Sequence, residues 1–154
     1  MKELVEYRNA LINKLVSQAH EIRAACLAVD DPFRPLNANS WNVHQIAAHV
    51  RDVDQLEYVM CVRRTITEDN PVFQNFDGDG YLREHYSPNE SLQTMLDGFV
   101  QSVEDLAGLL RAQPVEAWAR ISSHEKFGGD LTLQLWVERS LAHIEEHLKT
   151  VNNG

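Results

Sequence analysis

Basic residues are scarce and scattered in this chain. Its 14 lysines and arginines face 23 aspartates and glutamates, a formal net charge of −9 before 7 histidines are counted. Only Arg63 and Arg64 stand side by side. With no stretch concentrating the positive charge that neutralises phosphates, neither nucleic acid nor an anionic membrane is an expected partner. Cysteine is almost absent as well. Cys26 and Cys61 fall in helical patterns without CxxC spacing, which points to buried free thiols in a reducing cytosol. No apolar run approaches the roughly 20 residues of a membrane span. The start, Met1-Lys2-Glu3-Leu4-Val5-Glu6, has acids where a secretion signal needs a basic opening and a long apolar core. Period-2 alternation of the kind that marks a strand is missing, as are internal repeats and low-complexity tracts.

What is present is helical periodicity in a chain of 154 residues with 44% hydrophobic and 24% charged side chains, the composition of one globular domain over 1–154. From Glu3 to about Val29, Leu4, Ala10, Leu11, Leu15, Ala19, Ile22 and Cys26 recur at steps of three and four, and Asp30-Asp31-Pro32 ends the pattern. The polar, turn-rich segment Pro32 to Ser40, with Pro35, Asn37 and Asn39, follows. Ser40 is the expected cap of a second helix that opens on Trp41 and Asn42 and ends near Thr67. A long connection from Glu68 to Tyr86 contains Asp77 or Asp79 as cap of a short turn through Tyr81-Leu82-Arg83-Glu84. Ser87-Pro88-Asn89-Glu90 reads as a capping box with Pro at the first helical position, opening a third helix to about Ala112. Residues 114–130 read as connection, and Asp130 or Thr132 caps a last helix carrying Leu133, Trp136, Val137, Leu141, Ile144, Leu148 and Val151. Four long amphipathic helices predict an all-α four-helix bundle.

Chemistry points to the histidines. His143 and His147 lie four residues apart on the last helix, so both imidazoles leave one face a turn apart, close enough to share a metal. They sit beside the apolar positions Trp136, Ile144 and Leu148 rather than on a charged face. A third ligand must come from a facing helix, and His49, between Ile46, Val50 and Val53, is the best placed. Three imidazoles leave a tetrahedral ion one open position, the arrangement of catalytic rather than structural sites. The competing reading is three separately hydrogen-bonded core histidines. His143-Ile144-Glu145-Glu146-His147 also satisfies HxxEH, but that protease class takes its third ligand well downstream, and only Leu148 to Gly154 follow. Asn75-Phe76-Asp77-Gly78-Asp79-Gly80 imitates a calcium loop but has Tyr86 where a bidentate Glu belongs. Asp52, Asp54 and Glu146 are candidates for hydrogen bonds to the ligating rings, although Glu146, about 100° round the helix from a ligand, also suits the solvated surface. His20, His44, His85 and His124 read as surface or locally bonded, with His85 and His124 in reserve for substrate contacts. Trp41 and Trp136 are pocket candidates, and periodicity leaves open which of Trp41, Trp118, Trp136, Tyr58 and Phe127 line the site.

Ser40-Trp41-Asn42-Val43-His44-Gln45-Ile46-Ala47-Ala48-His49-Val50, a Pro-containing Asp-rich loop, and Leu141-Ala142-His143-Ile144-Glu145-Glu146-His147-Leu148 together resemble the DinB-like superfamily, over essentially the whole chain. The resemblance implies an up-up-down-down bundle and one metal, commonly zinc or nickel, on His49, His143 and His147. It implies either a thiol-dependent S-transferase or isomerase using a low-molecular-weight thiol such as mycothiol or bacillithiol, or a metal-dependent hydrolase. It implies nothing about DNA synthesis, despite a shared label. The expected partner is a small-molecule substrate, docking an anionic or thiolate group at the ion. A homodimer through exposed helix faces is a further expectation. The reading from another class is a non-catalytic metal- or ligand-binding protein connected with stress.

Overall fold

The three-and-four spacing of apolar residues becomes four long helical columns in the computed structural model, which describes residues 1–37 and 40–154. Helix α1 (Lys2–Leu27) buries Leu11, Ile12, Leu15, Ala19, Ile22 and Cys26 on one stripe. Helix α2 (Val43–Val53) passes through a π-helical turn (Asp54–Tyr58) into α3 (Val59–Thr67), so the second column is continuous but locally underwound by one extra residue. Strand β1 (Val72–Phe73) and short helix α4 (Gly78–His85) occupy the first long connection. Helix α5 (Leu92–Arg111) leads through a 3-10 turn (Val115–Ala119) to β2 (Ile121–His124), β3 (Gly128–Thr132) and α6 (Leu133–Asn153).

Side-chain pairs fix the directions of the columns. Tyr7 with Glu138 and Lys14 with Glu145 at 3.2 Å set α1 parallel to α6. Arg111 with Asn13, His20 with Glu104 and Arg23 with Asp97 set α5 antiparallel to α1. Trp41 packs beside His147 and Tyr58 beside His143, which sets the second column antiparallel to α6. The order is therefore up, down, down, up, and the expected up-up-down-down does not describe it. All four columns contribute to a core that includes Leu15, Ile46, Phe99, Val103, Trp136 and Val137.

Two helix starts differ from expectation for identifiable reasons. Asn42, not Ser40, caps α2, in a reciprocal capping box with Gln45. Ser40 Oγ instead ties the preceding loop by accepting from Asn37 N and donating to Asn37 O. Asn39, expected in the same turn, lies outside the described residues. Ser91, not Ser87, caps α5. Ser87 to Glu90 closes as a turn, because the Glu90 side chain is taken by Arg51 and its carbonyl by His44 Nε2. Asp77 does cap α4, and Thr132 caps α6.

The second correction is a three-stranded sheet, β1-β2-β3, with β1 parallel and β3 antiparallel to β2. Strands of two to five residues offer too few positions for a period to register. In β2, moreover, the polar residues point inward: Ser122 and His124 are buried while Ile121 is exposed. Ser122 Oγ donates to Leu131 O and accepts from Trp136 Nε1, so the sheet is fastened to α6 by a hydrogen bond the alternation rule reads backwards.

Candidate metal centre

α2 and α6 cross so that three imidazoles face one another. His49 Nε2 lies 3.1 Å from His143 Nε2, and His147 Nε2 lies 3.2 Å from the same atom. His143 and His147 meet because α6 presents both from one face, and His49 reaches them because Ile46, Ala47 and Val50 bury its stretch of α2. Burial and mutual repulsion push the pKa of His49 down to about 4 and of His143 down to about 3, and burial lowers that of His147. All three are therefore neutral at pH 7.

Neutral imidazoles in this arrangement cannot satisfy one another. His143 Nε2 holds at most one hydrogen, so it can serve one neighbour as donor or acceptor, and a second hydrogen pointed into the same space would clash. His49 Nδ1, on the far edge of its ring, is buried against the Gly78 backbone, outside ordinary hydrogen-bond geometry. A divalent cation resolves the convergence. Nitrogens at about 2.0–2.1 Å from a tetrahedral zinc stand roughly 3.3 Å apart, close to the two distances observed. Among the described residues these three form the group able to offer one ligand atom each to a single ion.

A cavity of about 420 Å³ opens over them, lined also by Trp41, Val53, Glu57, Tyr58, Gly78, Asp79 and Glu146. Trp41 lies with its ring centre 4.6 Å from that of His49 and 6.3 Å from that of His147. The extra residue of the π-helical turn brings both Glu57 and Tyr58 to the cavity, where a regular helix would favour one of them. Burial raises the pKa of Glu57, opposed by Arg139, and raises that of Tyr58 further.

The expected site residues thus divide. His49, His143, His147, Trp41 and Glu146 meet at the cavity. Asp52 does not, because Arg51 holds it at 2.9 Å. Asp54 points to α5, buried beside Ser102 with its pKa pushed up to about 7 by desolvation. Trp136 is fully buried on the sheet against Phe73. His85 stacks on Tyr81 at the surface, and His124 accepts from the backbone N–H groups of Lys126 and Phe127 inside the hairpin. Glu57, Asp79 and Gly78 were not anticipated. Glu57 and Tyr58 lie eight and nine residues after His49, positions that a regular helix turns about 80° and 180° away, so helical spacing does not signal them without the π-helical turn, and Asp79 arrives from a connection that carries no period.

Helical columns around a three-histidine centre define the class to which this chain is to be compared. Residues 14–151 match the model of the DinB superfamily, and the chain belongs to that family. Among solved structures it is similar to YfiT from Bacillus subtilis, described as a probable metal-dependent hydrolase with an unusual four-helix bundle topology. The two share 17% identity at a TM-score of 0.86, over 96% of this chain and 85% of that one. No curated protein matches in sequence. Among the described residues no helix is long and apolar enough to cross a membrane.

Proposed function

We propose that this protein is a divalent-metal-dependent enzyme that hydrolyses a small molecule, with zinc or nickel on His49, His143 and His147. The convergence of the three Nε2 atoms, of which neutral imidazoles can pair only two at a time, carries the reading. A divalent ion there supplies Lewis acidity and brings a coordinated water or thiol toward ionisation near neutral pH. Glu57 Oε is the proton acceptor within the cavity: half-buried, with a raised pKa, it is a stronger base than an exposed carboxylate. The Tyr58 hydroxyl stays protonated and donates a hydrogen bond to negative charge developing on the substrate. Trp41 shields His49 and His147 from water. Among the described residues Glu57, Asp79 and Glu146 line the cavity and no Lys or Arg does, so an ion on the histidines would be what draws an anionic substrate group in.

One observation favours the thiol-dependent transferase reading as an alternative. The cavity has room for a co-substrate, and the protein cannot supply the thiol itself, since burial pushes both Cys26 and Cys61 up to about 12. Elemental analysis followed by parallel assays of ester and amide hydrolysis and of thiol conjugation to electrophiles tests the proposal. Stoichiometric metal is expected, with hydrolysis whose kcat falls about 100-fold in Glu57→Gln at unchanged metal content. Absence of metal after reconstitution rejects the centre. Conjugation without hydrolysis replaces the hydrolase by the transferase, and metal without either activity leaves the binding protein.

A further inference from the structure

A second cavity, of about 180 Å³, opens where α1 begins and α5 ends. Its floor is apolar, made by Ile12, Leu110 and Trp118, and two arginines, Arg8 and Arg111, reach into its lining. Arg8 is 9% exposed and is the one buried lysine or arginine of the described residues. Its Nε donates to Gln134 Oε1 at 2.9 Å and its Nη1 to Val115 O at 3.4 Å, both neutral acceptors. The guanidinium carbon lies 5.4 Å from the ring centre of Trp118. Arg111 Nη2 donates to Asn13 Oδ1 at 3.0 Å, again a neutral partner.

Neither arginine has a carboxylate within 4.0 Å among the described residues; unpaired bases at the surface are common in this chain, and what sets Arg8 apart is that it is buried. In a chain with 23 acids against 14 bases, a buried arginine is an unexpected place to leave positive charge uncompensated. A buried cation without an anion carries a desolvation cost of several kcal/mol, only partly offset by carbonyl acceptors and an aromatic face. A fork-shaped guanidinium is matched best by a carboxylate.

We propose that this cavity binds a small organic monocarboxylate, its charge held by Arg8 and Arg111 and its apolar body laid on Ile12, Leu110 and Trp118. The volume corresponds to about six waters at roughly 30 Å³ each, which fits an aromatic acid of one ring and excludes a nucleotide or a peptide. Inorganic phosphate would satisfy the arginines but leave the floor wet. The cavity shares no residue with the histidine centre, so occupancy is independent of metal.

Isothermal titration of the metal-loaded protein with benzoate tests the assignment, against benzamide (same shape, no charge) and inorganic phosphate (charge, no apolar body). Saturable benzoate binding is expected, at least about tenfold tighter than either control, as loss of one charge-assisted hydrogen bond would give. Arg111→Gln, at an exposed position, should weaken it by a similar factor. Arg8→Gln should abolish it, with circular dichroism checking the fold. His143→Ala should leave it unchanged. No saturable heat, equal affinity for benzamide, full affinity in Arg111→Gln, or loss in His143→Ala would each overturn the proposal, the last by moving benzoate to the histidines.

Discussion

His44 and His49 sit on the same helix, five residues apart, and are buried to the same degree, 1% and 5% exposed. Their surroundings are opposite. Both nitrogens of His44 are taken at 2.7 Å, Nδ1 by the Tyr86 hydroxyl and Nε2 by the Glu90 carbonyl, and its ring stacks on Phe33. His49 has two other imidazoles before its Nε2, and its Nδ1 lies against the Gly78 backbone without a well-formed hydrogen bond. Burial alone therefore does not separate a structural histidine from a ligand. What separates them is whether the protein supplies every partner: His44 ties the connection around Glu90 to α2, whereas His49 belongs to a group of three imidazoles that could hold a metal ion.

The sharpest way to break this contrast is to truncate one member of each kind. In His143→Ala, which removes the atom shared by both short contacts, stoichiometric metal should be lost, with affinity down about a thousandfold or more. Inductively coupled plasma analysis after dialysis reads the outcome, and one ion per chain retained at wild-type affinity would refute the centre.

Acid should distinguish the two regions next. His49 and His143 have pKa values lowered to about 4 and about 3 in the folded protein, against about 6.5 in an unfolded chain. Between those limits the unfolded state binds more protons, so metal-free stability should fall by a few kcal/mol as pH drops from about 6.5 to about 4. Asp54 acts in the opposite sense, since its pKa of about 7 lets the fold gain a proton that the unfolded chain does not hold until far lower pH. Urea midpoints in an Asp54→Asn background isolate the histidines. A His49→Gln/His143→Gln double variant should flatten the curve, and an unchanged slope would mean the lowered pKa values are not theirs.

His44→Ala should do the reverse of His143→Ala: about 2 kcal/mol less stable, from a vacated ring and an orphaned Tyr86 hydroxyl, with metal stoichiometry intact. Chemical denaturation alongside metal analysis reads both. Loss of metal at unchanged stability would erase the distinction between the two residues.

The same contrast explains how much of the molecule was legible in the sequence. Core-facing helix stripes were, because Leu11, Leu15, Ala19 and Ile22 or Met95, Phe99, Val103 and Leu106 repeat at the helical period and nothing local opposes them. The clustering of the three histidines was, because i and i+4 on α6 share one face and His49 lies on the inward edge of the facing helix. Caps were misplaced where tertiary contacts took the side chain that a local rule assigns, as Arg51 takes Glu90. The directions of the columns followed from pairs distant in sequence, such as Lys14 with Glu145, which no local pattern encodes. Glu57 and Tyr58 share the cavity through one extra residue in a helical turn, and Asp79 through a connection held by the Asp77 cap.

Gly78 gives the finest test of whether the centre is set from outside its own helices. A Cβ at this position would stand 2.9 Å from Val53 Cγ2 and 3.1 Å from His49 Cε1. Val53 is fixed in the core side of α2, so the displacement has to be shared by the start of α4 and the His49 ring. A ring moved by a few tenths of an ångström still ligates, but off its best direction. Gly78→Ala should therefore weaken metal binding by about tenfold, the scale on which groups that orient a ligand act. Gly98 is the matched control: exposed on α5, with nothing within 4 Å of an added Cβ, it should accept alanine with a gain of about 0.5–1 kcal/mol and no change at the metal. Competition against a chromophoric chelator measures both variants. Equal affinities would show that α4 yields freely and that α2 and α6 alone orient the three imidazoles.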